Sequence, residues 1–307
     1  MDDQNKNLLL AVALSFAVML AWFAISPPTT APEETATDTT ATTPVAEATG
    51  NTDVSTAPTT GNAAAVAAAG RITIDTPRLS GSLSLLAGRI DDLQLKDYNV
   101  TMEDGSPIVT LLSPEGSENA YYELNGWAAA SGVDPSDVPG PTTLWTADKT
   151  TLSPGNPVTL TWDNGKGLTF SRRIDIDNDY MFDIQQSVTN TGATTASMAP
   201  YSVIARHGEP QDLKGFYILH EGMVRMADGI YDYAKYKHLP DYDIDPKERG
   251  PADVIQVAEK GWIGFTDHYW MTTLIPSNPH KVVGKYDPNR DVYEALAVDK
   301  VQVIVAG

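Results

Sequence analysis

Along the chain the hydrophobic pattern changes character twice. From Leu8 to Ile25 nearly every position is apolar, Ser15 being the polar exception. At helical rise the run covers about 27 Å, close to a bilayer hydrocarbon core of roughly 30 Å, and Trp22 and Phe23 fall where an interfacial aromatic belt sits. A cleaved secretory signal begins similarly. Here, however, the run exceeds the usual h-region, Trp22 occupies the third position before a cleavage point at Ala24, and Pro27-Pro28 follow at once. The expectation is an uncleaved anchor over residues 1–26. Residues 27–70 hold Thr, Ala and Pro, with Glu33, Glu34, Asp38, Glu47 and Asp53 as the charges and nothing apolar larger than Val. Such a segment cannot offset an ordering entropy of about 1–2 kcal/mol per residue, so it reads as a disordered linker.

From Arg71 the pattern becomes short alternating runs separated by Gly, Asn, Asp and Pro, an all-β signature. Val158-Thr-Leu160-Thr-Trp162 and Leu168-Thr-Phe170-Ser flank Asn164-Gly165 and predict a hairpin. Arg172 to Ile176, a turn at Asp177-Asn178-Asp179, and Tyr180 to Asn190 extend it to a three-strand meander, with Phe182, Ile184 and Val188 on one face. Residues 71–307 are too many for one flat sheet and predict a large two-sheet sandwich, its centre filled by the Trp and Tyr side chains.

Charge narrows the functions. The net charge of −19 excludes nucleic acid and anionic lipid headgroups as ligands of a basic surface. Only Lys6 precedes Arg71 among the basic side chains, which keeps the N-terminus cytoplasmic and puts everything after about residue 26 outside the cytoplasm. The chain has no cysteine, so disulfides, thiolate chemistry and Cys-based metal sites are out of reach.

Several segments in order resemble the N-terminal part of the YidC family of bacterial inner-membrane protein insertases, in its Gram-negative form. They are Gln4 to Leu10; Arg71-Ile-Thr-Ile-Asp-Thr; Leu83-Ser-Leu85 with Gly88-Arg-Ile90-Asp-Asp-Leu93; Arg172 to Asn190; Tyr231 to Lys237; Lys260-Gly261-Trp262-Ile263; Tyr269-Trp270; and Ile275-Pro276. The resemblance implies a periplasmic β-supersandwich, similar to galactose-mutarotase-like domains, over residues 71–307. It also implies association with SecDF and the Sec translocon, and nascent membrane proteins as clients of the full-length protein. The insertase activity is expected to reside in a five-helix bundle with a hydrophilic groove. No apolar stretch after Ile25 is long enough to begin that bundle, and the chain is expected to stop inside the domain, at Val303 to Gly307.

The likeness to mutarotases raises an alternative, a membrane-anchored carbohydrate-binding or aldose-epimerase-like module. That chemistry needs a His and a Glu converging on an anomeric carbon. The histidines are His207, His220, His238, His268 and His280, and the neighbours in His207-Gly208-Glu209 and His220-Glu221 do not by themselves converge. Asp175-Ile-Asp177-Asn-Asp179 and Asp241-Tyr-Asp243-Ile-Asp245 start like calcium loops, but Tyr180 and Pro246 replace the required Gly, and Gln186 and Ala252 the bidentate Glu. No catalytic, cofactor-binding or metal residue is assigned. The expected partner surface is Gly215 to Pro251, where Phe216, Tyr217, Tyr231, Tyr233, Tyr236 and Tyr242 mix with Lys235 and Lys237.

Overall fold

The alternating segments become strands throughout. The computed structural model describes residues 68–307 except 212, 214–218, 268, 277 and 278; the predicted anchor and nearly all of the predicted linker lie outside the described residues. Among the described residues no helix is long and apolar enough to cross a membrane.

In chain order the first strands are β1 (Arg71–Asp75), β2 (Leu79–Ser84), β3 (Arg89–Asn99), β4 (Ile108–Leu112), β5 (Tyr121–Ala129), β6 (Thr146–Ala147) and β7 (Thr151–Leu152). The meander follows as β8 (Val158–Asp163), β9 (Leu168–Ile176) and β10 (Phe182–Asn190), then β11 (Ala196–His207), β12 (Gly222–Ala227) and β13 (Ile230–Lys235). The last strands are β14 (Ile244–Asp245), β15 (Gly250–Val257), β16 (Gly261–Asp267), β17 (Trp270–Leu274), β18 (His280–Asp287), β19 (Val292–Asp299) and β20 (Gln302–Ile304).

The predicted hairpin forms as read, with Trp162 opposite Phe170. Gly165 takes φ +70°, and Asn164 Oδ1 accepts the Lys166 and Leu168 amides at 2.8 and 3.1 Å. The turn is thus closed by its own residues, which is why it is legible locally.

A twelve-stranded sheet forms one layer, running β14-β15-β18-β19-β11-β5-β3-β2-β1-β7, with β20 on β11 and β4 on β3. Where the sequence predicts a single second sheet, the covering layer is divided into β10-β9-β8-β6 and β13-β12-β16-β17. Both cover the same face. Trp127 of β5 meets Phe170 of the first at 6.0 Å, while Tyr236 stacks on Phe265 of the second at 5.5 Å and meets Tyr293 of β19 edge-on at 5.0 Å. Accumulated twist makes a long sheet curl or split, so a large sheet is hard to cover with one continuous partner. The large sheet is also apolar on its other face, where Leu124, Tyr201, Val203, Val283 and Leu296 form a second buried cluster. Strands buried on both faces read as near-continuous hydrophobic runs; Val292 to Val298, broken only by Glu294, which pairs with Lys285 and Arg290, is buried at every position.

The aromatics divide differently from the expectation. Trp127, Trp145, Tyr121, Tyr122, Tyr201, Tyr236 and Tyr293 are buried, but Tyr98, Tyr180, Tyr231, Tyr233 and Tyr269 are exposed.

β3 and β5 share a single pair, Ile90 opposite Glu123, which leaves a gap in the large sheet. Arg172 of β9 fills it. The side chain is fully buried; Nη1 donates to the Ala87 and Gly88 carbonyls, both at 3.1 Å, Nη2 donates to the Asn125 carbonyl at 2.6 Å, and the guanidinium lies 4.6 Å from the Trp145 ring centroid. Carbonyls deprived of ladder partners by the gap are satisfied from the facing sheet.

Candidate functional site

The division of the covering layer creates two features absent from a simple sandwich. First, β10 and β17 each end their sheet, and both line one cleft of about 950 Å³ over the large sheet. Tyr98, Tyr180, Met181, Tyr269, Met271 and Ile275 are all exposed and all line it. Tyr98 meets Trp270 edge-on at 4.6 Å, and the Tyr180 hydroxyl donates to Asp97 at 3.1 Å, which holds part of the rim in place. Aromatic and Met side chains supply large contact area without demanding one partner shape.

The cleft floor is polar. Glu123, Asn125 and Ser202 line it from β5 and β11, and Gln186 from β10. Asn125 Nδ2 donates to Glu123 Oε1 at 2.5 Å, and Ser202 Oγ donates to Asn125 Oδ1. Glu123 is only 8 % exposed, and burial pushes its carboxyl up to about 7 against the opposing pull of the Arg172 charge. Burial likewise pulls Arg172 down to about 10. Glu123 Oε2 and Gln186 Oε1 are buried without a hydrogen-bond partner. Gln186 Nε2 sits 3.5 Å from the Gly126 and Tyr201 carbonyls, the long limit of a hydrogen bond.

Second, the two small sheets present opposite kinds of outer face. On β8-β9-β10 the outward positions include Thr159, Arg173 and Gln185 in one row and Thr161, Ser171 and Ser187 in the next. On the other sheet, Met226 stands between Tyr231 and Trp262, with Val224 and Tyr233 in the adjoining row. Tyr231 and Tyr233 are 72 % and 70 % exposed. Tyr231 approaches Trp262 at 6.3 Å and Tyr233 approaches His220 at 4.9 Å. An uncharged aromatic stripe of this kind has the composition of an interface core.

The predicted partner stretch is therefore split. Tyr231 and Tyr233 lie on the stripe, whereas Tyr236 is 1 % exposed, its hydroxyl donating to Asp267 at 2.7 Å; it belongs to the core. Tyr242 is half-buried against that core. Phe216 and Tyr217 lie outside the described residues.

The histidines do not converge. His207 faces the Tyr122 hydroxyl at 3.2 Å, and burial lowers its pKa from the ordinary imidazole value. His220 Nε2 donates to the Met223 carbonyl at 2.9 Å; His238 is exposed on a 3₁₀ turn, and His280 is buried on β18. None of these four lines the cleft, and His268 lies outside the described residues. The acids of the two calcium-like runs serve turns and ion pairs. Asp177 Oδ1 accepts the Asp179 and Met181 amides, Asp175 pairs with Arg173, Asp179 with Arg78, and Asp245 Oδ1 accepts the Lys247 amide. Among the described residues no group of three or more potential ligands is placed to hold a metal ion.

Sequence reasoning missed the cleft. Its one local signal was Glu123 inside the otherwise apolar run Tyr121-Tyr122-Glu123-Leu124, a charge that burial makes costly unless something uses it.

The layers define a β-supersandwich domain. The chain belongs to the YidC periplasmic domain family, whose model matches residues 71–307. Curated relatives named membrane protein insertase YidC include those of Roseobacter denitrificans, 52% identical over 97% of this chain and 51% of the relative, and Ruegeria pomeroyi, 49% identical over 100% and 53%. That of Dinoroseobacter shibae is 48% identical over 100% of this chain and 52% of the relative. The chain spans about half the length of these relatives.

Proposed function

We propose that this chain is the anchoring and docking part of a membrane protein insertase that helps apolar segments enter and fold in the bacterial inner membrane, with or without the Sec translocase. In this reading residues 1–26 span the membrane with the N-terminus cytoplasmic, 27–70 are a flexible tether, and 71–307 stand in the periplasm. The bilayer is met through Leu8 to Ile25. SecDF and the Sec translocon are the partners, and nascent membrane proteins are the clients of the whole insertase. Insertion makes and breaks no covalent bond, because burial of apolar surface at about 25 cal/mol per Å² supplies the driving force, so the role calls for no catalytic residue.

The observation that carries the reading is the stripe of Tyr231, Tyr233, Met226 and Trp262 on one small sheet, set against the polar face of the other. The test places a photo-crosslinking amino acid at Tyr233, and at Thr161 as control, in the full-length insertase carrying this chain. Crosslinks to Sec accessory subunits from position 233 and none from 161 are expected. Equal yields from both positions, or none from either, would end the docking assignment.

A further inference from the structure

We propose that an extended polypeptide segment adds as a further strand along the free edge of β10 inside the cleft, with Gln186 and Glu123 accepting from its N–H groups. The inference rests on the reading of the domain as a protein-docking module and names the mode of binding.

The edge itself is the first argument. β10 pairs with β9 through nine consecutive residues without a bulge, and among the described residues its other side has no backbone partner. Natural sheets blunt such edges with lysine, proline, bulges or brevity. β6, β7 and β14 are blunted by brevity at two residues each. Phe182 to Asn190 has no Lys, no Pro and one charge, Asp183. An unprotected edge kept inside a cleft is sheltered from indiscriminate pairing yet open to a chain threaded into it.

The second argument is the floor. Glu123 Oε2 and Gln186 Oε1 are buried polar atoms without partners, and both residues line the cleft. A buried polar group left unpaired is costly, and a ligand that supplies the missing partner recovers that cost. Both atoms are acceptor oxygens, and the peptide N–H is the neutral donor that an added strand presents at every residue. Beside β10 an added strand would direct alternate side chains toward Leu93 and Leu112, buried under the same cleft, and the others toward solvent. Asp183, Asp299 and Glu123 line the space, so the fitting occupant is neutral or basic, not acidic.

The absence of cysteine permits a clean test in the detergent-solubilised full chain. Spin labels are placed singly at Gln185→Cys on β10 and at Thr161→Cys on β8, both exposed positions. The probe is an uncharged eight-residue peptide of alternating Val and Thr, compared with the same peptide N-methylated at alternate residues. The expected result is saturable binding that immobilises the label at 185 and not at 161, at least tenfold weaker for the N-methylated peptide, and weakened at least threefold by Gln186→Ala. Equal affinity for both peptides would overturn strand addition while leaving a side-chain-reading cleft. Binding unaffected by Gln186→Ala would remove that residue from the site. No binding, or binding silent at position 185, would overturn the proposal altogether, and the crosslinking from Tyr233 separately decides the docking role.

Discussion

Replacing Arg172 by Met keeps most of the aliphatic stem and removes the guanidinium that closes the gap between β3 and β5. Three buried carbonyls, of Ala87, Gly88 and Asn125, then lose their donors. At about 1–3 kcal/mol for each group left unpaired the cost is roughly 3–9 kcal/mol, and the lost contact with Trp145 adds about 1. Against this, the cost of burying the charge disappears. Its size follows from the depression of Arg172 from 12.5 to about 10, worth roughly 3 kcal/mol. The net expectation is a destabilisation of roughly 1–7 kcal/mol, centred on the roughly 3–5 kcal/mol usual for breaking a buried charged pair. With a urea slope of about 3 kcal/mol per M, the unfolding midpoint of the detergent-solubilised chain drops by roughly 1 M. The buried Trp127 and Trp145 report it by fluorescence. Arg172→Lys retains charge but lacks the fork that reaches three acceptors, so it falls between the two. A midpoint within about 0.3 M of the parent for Arg172→Met, or full rescue by Lys, would refute the assignment of Arg172 as the bridge across the gap.

Two further outcomes follow from the titrating groups. The folded chain holds the Glu123 proton to about 7 against an ordinary 4.5, so this group's contribution is most favourable below about 4.5 and is lost as pH rises to about 7. Glu123→Gln should flatten that part of the stability profile in urea titrations between pH 4 and 8; an unchanged slope would refute the shift. Asp228 accepts the Ala258, Glu259 and Lys260 amides at 2.8, 2.8 and 3.1 Å, tying the β12–β13 turn to the β15–β16 turn, and these bonds hold its carboxyl below 3.8. Its contribution is present above 3.8 and lost as pH falls through the lower folded value; Asp228→Ala should speed hydrogen exchange at residues 258–260 at neutral pH, and retained protection there would count against the tie.

Local chemistry alone settles the Val158 to Asn190 meander, because alternation and the Asn164-Gly165 turn act within a few residues of each other. The same locality makes the β class and the start of ordered strands at Arg71 legible. The partner stretch shows where locality stops. Tyr233 and Tyr236, three residues apart in one tyrosine-rich segment, fall on opposite faces by alternation, but which face meets the core was set by the sheet that the segment joins.

The sequence by itself determined which segments become strands and that their apolar faces must be covered. Only the tertiary structure decided that the cover would come as two sheets, that the edges of Phe182–Asn190 and Trp270–Leu274 would share a cleft, and that Glu123 would sit on its floor. The reason is physical. A strand's side-chain alternation is written into its own residues, whereas its place at the edge or the centre of a sheet depends on partners tens of residues away, and on how far twist lets one layer follow another.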